Sequence, residues 1–423
     1  MTAAQSGARG PRRLYVFSPM PPQRNGLADY LMAYLPRLAA EHEVWVVAAS
    51  DQASAVQAAR PAAAPWRVLD EAGFRARQPD PEALVLYNLG NNSDCVYMLD
   101  HLPGCRGAVL LHDISLFYLH QLAAEQGWMG TLMDGWLADD GHAVPRAFVR
   151  RDGSLARTPG LLYQECLMLR RLLQDAPGVL VHTRYAEGRL LGAVPSLPLA
   201  RLTRLPHFVA PAEPLPPARV AEVLARHGVT EEARLLLVPG FLTGNKMLYE
   251  ILAAFRQVQA EGLPLQLLFA GEERPDEYAL SRRIADWWPT GGGPTVTGYL
   301  NAQALDVLLA RADLSLVLRY PTYGESSGIL PRAALGGARV LTVDIGAYPE
   351  FSSPLVTPLR VGAWLVDSLV GAMRALAAEP PLSPAERQAR QQAEVDRQAA
   401  LSPAALYPAL RDWLHRCAAE LGR

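Results

Sequence analysis

Several short strings in this chain place chemistry-bearing residues where an apolar run ends. The densest covers residues 320–336, YPTYGESSGILPRAALG. Pro321 and Gly324 make a turn, and Glu325-Ser326-Ser327-Gly328 leads into a helix. A helix start presents backbone N–H groups with no partner inside the helix, and the dipole adds positive potential. Such a place suits an anion, phosphate above all. Gly328 would let a phosphate approach the backbone, and Ser326 and Ser327 add hydroxyl donors. A Ser-rich helix cap would use the same residues. The second string, GFLTGNK, spans Gly240 to Lys246 after another apolar run. A lysine just past a glycine loop can hold phosphate oxygens. Lys246 is the only lysine in a chain whose other basic side chains are arginine, an odd place for a merely solubilising charge.

Three weaker strings also follow apolar runs. In PPQRNGLADY, residues 21–30, Gly26 would let backbone approach a ligand, although a plain turn explains it equally well. His112-Asp113 sets imidazole and carboxylate side by side, a pair able to bind sugar hydroxyls or shuttle protons, and also a common cap. Gly90-Asn91-Asn92 offers amides to hydroxyls or simply makes a turn. In DIGAYPE, residues 344–350, Gly346 permits a tight turn and Glu350 could orient a neighbour.

The elements that must position these residues alternate strand-like and helical patterns, as in parallel α/β layers. Strands are predicted at 14–18, 44–48, 84–88, 108–111 and 179–182, with a helix at 27–41. Residues 113–171 turn helical and aromatic, carrying Phe117, Tyr118, Trp128, Trp136 and Phe148 together with Arg146, Arg150, Arg151 and Arg157. This segment reads as an elaboration of the first domain, with a basic face for solvent or for anionic head groups. Five prolines between 206 and 217 exclude a helix interior and make a stiff connection. The pattern then restarts, with strands at 235–238, 265–270, 295–297, 314–318 and 340–343 and helices at 246–260, 302–312 and 329–336. Domains are therefore expected at 1–210 and 211–383, with C-terminal helices over 384–423 packing back towards the first. In open parallel sheets, ligands bind beyond the carboxyl ends of the strands.

Length and composition bound the class. The 423 residues suffice for two cores. A net charge of -2 gives no case for bulk nucleic-acid binding. The four cysteines, Cys95, Cys105, Cys166 and Cys417, form no CxxC, which argues against a disulfide framework or a zinc cluster and suits a reducing compartment. Neither a secretory leader nor a bilayer span is expected, so the chain reads as cytoplasmic, with peripheral contact to an inner membrane left open. No GxGxxG follows the first strand, which disfavours a dinucleotide-dependent dehydrogenase.

Taken in order, SPMPPQRNGLADY, GNN, LLHD, VLVHTRYA, PHFV, GFLTGNK, PTYGESSGILPRAALG and DIGAYPE resemble the retaining family 4 glycosyltransferases, a bacterial polysaccharide-type branch in particular. The resemblance implies the GT-B fold, an α/β architecture of two Rossmann-like domains facing across a deep cleft. It implies metal-independent transfer of a hexose from a nucleotide diphosphate sugar, with retention, to a saccharide or lipid-linked saccharide acceptor, and no further cofactor. By the same resemblance Glu325 lies near the donor sugar and Lys246, beside Gly240, holds phosphate. Ser326, Ser327 and Gly328 cradle the diphosphate, His112 stands between donor and acceptor, Gly26 lines the phosphates, and the segment 113–171 shapes the acceptor site. Three positions depart from the pattern: Ala333 replaces the second glutamate of the E-x7-E motif, Phe241 replaces an arginine, and Cys95 replaces a histidine. They keep a second expectation in play, a weak or inactive nucleotide-sugar-binding partner within a glycan-assembly complex.

Overall fold

The computed structural model describes residues 12–77, 83–103, 106–127, 160–230, 232–275 and 278–422. The chain forms two compact units, each built on a wholly parallel sheet. The first sheet contains β1 (Arg12–Phe17), β2 (His42–Ala48), β3 (Arg67–Asp70), β4 (Leu84–Leu89), β5 (Ala108–Leu111), β6 (Val179–Val181) and β7 (Leu202–Arg204), in the order β3-β2-β1-β4-β5-β6-β7. The second contains β8 (Arg234–Pro239), β9 (Leu265–Ala270), β10 (Thr295–Val296), β11 (Leu314–Leu316), β12 (Arg339–Val343) and β13 (Val356–Leu359), in the order β10-β9-β8-β11-β12-β13. Both orders reverse once, at β1/β4 and at β8/β11. That reversal opens a crevice at the carboxyl ends of the strands, where Rossmann-like sheets bind ligands.

The central strands read as unbroken apolar runs because helices cover both of their faces. Leu84–Leu89 and Arg234–Pro239 are buried at every position. The strands that sequence patterning overlooks are β3, β7 and β13, each three or four residues long and at or beside a sheet end. An end strand needs fewer apolar residues. β13 even carries Pro358, which sheets tolerate at an edge.

One predicted helix is corrected. Residues 246–260 are not continuous: a single 3-10 turn, Gly244–Lys246, ends at Met247, whose φ of 56° is left-handed. The α-helix begins only at Leu248. A non-glycine residue in this region is uncommon, and here it turns Lys246 off the helix axis. The 206–216 stretch is irregular, and Pro217 opens the next helix at the position proline favours.

The expected C-terminal segment 384–423 divides between the units. Helix Pro384–Gln398 stays with the second unit, where Arg387 reaches Asp313 (2.9 Å) and Gln391 reaches the Gly336 carbonyl (3.0 Å). Asp313 also meets Arg311 and the Leu235 N–H, so this buried carboxylate ties the helix to β8. Helix Pro403–Glu420 belongs to the first unit, burying Leu410, Trp413 and Leu414 in a core shared with Tyr34 and Leu35 of helix Gly26–Glu41. Among the described residues no helix is long and apolar enough to cross a membrane. Trp128, Trp136, Phe148, Arg146, Arg150, Arg151 and Arg157 of the expected acceptor segment lie outside the described residues.

Candidate functional site

In the second unit the crevice between β8 and β11 gathers cations. Gly240 follows β8 with φ +86°, a conformation that favours glycine. Its amide donates to the Ala270 carbonyl (2.9 Å), and the next turn keeps step with the strand beside it as Leu242 donates to the Glu272 carbonyl (2.8 Å). Gly271 makes this possible, because a Cβ there would overlap the Gly240 carbonyl. The chain then folds back so that the Lys246 Nζ donates to the Pro239 carbonyl, and a Cβ on Gly240 would sit 3.0 Å from that ammonium. Lys246 is only 6 % exposed. Burial first, then the nearby Arg319 guanidinium, holds its pKa well below the ordinary lysine value. A desolvated ammonium beside a second cation is a site that gains from an incoming anion.

Arg319 lies three residues past the end of β11, and its Nη1 donates to the Asn245 Oδ1 (3.2 Å). Tyr320 donates its N–H to the Asn245 carbonyl (2.7 Å), which joins the two loops across the crevice. Arg319 therefore brings a second positive charge near Lys246, whereas Phe241 replaces the arginine that the resemblance implies. Phe241 instead lies under the Arg274 guanidinium, 4.9 Å from ring centroid to carbon. Arg319 was missed in the sequence because it carries no motif; its position at a strand's carboxyl end was the available signal.

The motif PTYGESSG is shared between the units: Tyr323–Ser326 lies with the first and Ser327 begins the return to the second. Gly324, at φ +79°, packs where a Cβ would overlap Ile114. Glu325 bridges Asp113, the Ser326 N–H donates to the His112 carbonyl (3.1 Å), and one Glu325 carboxylate oxygen accepts from the Tyr323 N–H (2.7 Å). Glu325, Ser326 and His112 are thus brought together at the carboxyl end of β5. The Ser326 amide, expected to face a diphosphate, is engaged by His112. Ser327 accepts from the Leu330 N–H (3.2 Å), and Gly328 is exposed at the start of helix Ile329–Leu335. Ala333 is fully buried in the core of the second unit.

His112 itself is buried and committed on both ring nitrogens, Nε2 to the Asn88 Oδ1 (2.7 Å) and Nδ1 to the His182 Nε2 (3.2 Å). His182 continues the chain to the Leu205 carbonyl (2.9 Å), and the His207 ring lies edge-on to His112 and tilted against His182. Burial, followed by the mutual repulsion of these imidazoles, depresses their pKa values, His112 far below its usual range and His182 to about 3. His112 is therefore a neutral ring at neutral pH and not a resident cation. Sequence reasoning saw His182 and His207 only as parts of the strings VLVHTRYA and PHFV.

The glycine loop after β1 is held by caps. Asn25 accepts from the Leu27 N–H (2.9 Å) and its amide donates to Asn92 (3.0 Å) and Asp94 (2.7 Å), closing the β1 loop onto the β4 loop. Gly26 opens the helix with nothing within 4 Å of where a Cβ would stand, so no neighbour within the chain requires glycine there. Asn91 and Asn92 do turn and capping work: Asn91 donates its N–H to Asp113 (2.7 Å) and accepts from the Leu119 N–H (2.9 Å), and Asn92 caps the turn Ser93–Asp100. In DIGAYPE, Gly346 lies at φ +60° against Thr322, and Glu350 is exposed.

No family model matches the chain. No curated protein matches it either. Solved structures do. The chain is similar to HepE of Anabaena, solved with UDP and glucose, at 12% identity and a TM-score of 0.63 over 96% of this chain and 100% of that one. It is similar to sucrose-phosphate synthase of Thermosynechococcus elongatus at 16% identity and a TM-score of 0.65, covering 96% and 99%. It is also similar to WaaG, a glycosyltransferase involved in lipopolysaccharide biosynthesis, at 16% identity and a TM-score of 0.57, covering 92% and 97%. Together with the two parallel Rossmann-like sheets, these similarities give the chain the GT-B fold.

Proposed function

We propose that this protein is a metal-independent glycosyltransferase that moves a hexose from a nucleotide diphosphate sugar, with retention, to a saccharide or lipid-linked saccharide hydroxyl in bacterial glycan assembly. The observation that carries the proposal is the buried Lys246 ammonium beneath Gly240 with Arg319 nearby, at the strand reversal of the second sheet. The UDP and UDP-glucose complexes of HepE favour UDP as the carrier.

As the glycosidic C–O bond lengthens, the diphosphate gains negative charge and the sugar becomes oxocarbenium-like. Lys246 and Arg319 would meet that charge, and preorganised charge is usually the largest catalytic contribution. Ser327 and Gly328 add donors at the start of their helix. Glu325 is assigned to the hydroxyls of the donor sugar, on the resemblance of its motif. His112 acts through its carbonyl, which fixes the Ser326 end of the Glu325 segment. The protein works in the cytoplasm, at the surface of the inner membrane when its acceptor is lipid-linked.

The test is transfer from a panel of UDP- and GDP-sugars to mixed saccharide acceptors, followed by released nucleotide and by the anomeric configuration of the product. Turnover with an axial-to-axial outcome is expected for a UDP-α-sugar; an inverted product would overturn retention. A second reading, a nucleotide-sugar-binding partner without turnover, is favoured by the buried Ala333 at the second motif position. It predicts saturable UDP-sugar binding with no release of nucleotide under any acceptor.

A further inference from the structure

The residues above lie at the carboxyl ends of strands. A different cluster lies at the amino end of β2, where helix Gly26–Glu41 hands over to His42. We propose that Glu41, His42 and His415 form a binding site for a divalent transition metal of the zinc class. Their ligand atoms, one from each side chain, lie within 4.8 Å of one another. His42 is 7 % exposed, and neither ring nitrogen finds a partner of ordinary hydrogen-bond geometry. A buried imidazole left this way is the exception among buried polar groups. The His415 ring stands edge-on to it at 6.5 Å between centroids.

Two imidazoles and one carboxylate are a zinc donor set, with water as the fourth ligand. Tetrahedral bonds of about 2.0–2.2 Å place ligand atoms roughly 3.4 Å apart. Glu41 and His415 are exposed, and the Glu41 carboxylate, which also meets the Tyr407 hydroxyl, would turn inward with His415 while His42 stays fixed in the packing. The metal would then clamp helix Pro403–Glu420 to the end of helix Gly26–Glu41, two elements already packed through Trp413, Leu410 and Tyr34. The Tyr407 hydroxyl, which donates to the Arg37 carbonyl (3.0 Å), strengthens the same junction.

The experiment is zinc titration of the chelator-stripped full chain by calorimetry, with cobalt substitution for spectroscopy and thermal melting with and without zinc. Glu41→Gln and His415→Ala are the variants, since both positions are exposed and neither empties the core. The wild type is expected to bind one zinc per chain with a Kd below about 10 µM. Each variant should lose about tenfold or more in affinity, as for lost metal partners generally. Cobalt should give the intense visible bands of tetrahedral coordination, and zinc should raise the melting temperature of the wild type alone. Absence of saturable binding in the wild type would overturn the proposal. So would variants that bind zinc, or gain thermal stability from it, as the wild type does. Every readout is independent of sugar transfer.

Discussion

Lys246 and Arg319 are two cations held close together in a place where water is scarce. For the free protein this is a cost, because burial favours the neutral amine and the guanidinium repels the ammonium. Lys246→Met keeps the length and volume of the side chain and removes the penalised charge. Its melting temperature is expected to equal or exceed that of the wild type, while turnover falls by about 10²–10³, the usual effect of deleting one preorganised charge donor. Thermal melting and steady-state transfer on the same sample check both. Arg319→Ala should weaken UDP binding in the same direction, by about 1.5–3 kcal/mol if it makes one charged hydrogen bond; calorimetry of UDP binding measures it. Lysine at 246 and glycine at 240 were legible from residue type and spacing. Arg319 was not, because arginine is the common cation of this chain and its proximity to Lys246 depends on a sheet order that no local pattern encodes.

At the scale of elements, the loop after β8 is shaped by glycines that admit backbone rather than by side chains. Gly271 is the sharpest case, since a methyl there meets the Gly240 carbonyl itself and backbone cannot rotate aside. Gly271→Ala should cost about 1–3 kcal/mol, the range for forced overpacking, and should weaken nucleotide binding by shifting Gly240. Urea unfolding and UDP titration test the two halves. The long buried strands and the main helices were readable from their periodicity. The short end strands β3, β7 and β13 were not, because three or four half-exposed residues give no periodic signal. The break at Met247 was hidden for a different reason: apolar spacing continues through it, and only tertiary packing accounts for its left-handed backbone. In PTYGESSG the turn was legible, whereas the pairing of Glu325 with Asp113 and of Ser326 with His112 joins residues some 210 positions apart.

For the molecule as a whole, the buried His112, His182 and His207 link folding to pH. Their folded pKa values lie below the unfolded value of 6.5. The stability they contribute is complete above pH 6.5 and is lost as pH falls from there towards the folded values, about 3 for His182. Each group contributes a slope approaching ~1.4 kcal/mol per pH unit within that window. Chemical unfolding at pH 7, 6 and 5 should show the decline, and His182→Asn should flatten it. Fold class was readable from the alternation of strands and helices, and the resemblance of ordered strings agreed with it. Chemistry is the harder inference, since this fold hosts many reactions and function is set by the site.

The central claim is that a diphosphate binds at the buried cation site of Lys246. It is tested most directly by titrating UDP into wild type and Lys246→Met by calorimetry, in two buffers of different ionisation enthalpy. Between the lowered Lys246 pKa and 10.5, an arriving diphosphate must raise that pKa, so binding should take up a proton and weaken as pH rises. The wild type should show that uptake, and Lys246→Met should lose it together with about tenfold or more in affinity, the equivalent of ~1.4 kcal/mol. Equal affinity and equal proton uptake in the two proteins would contradict the account.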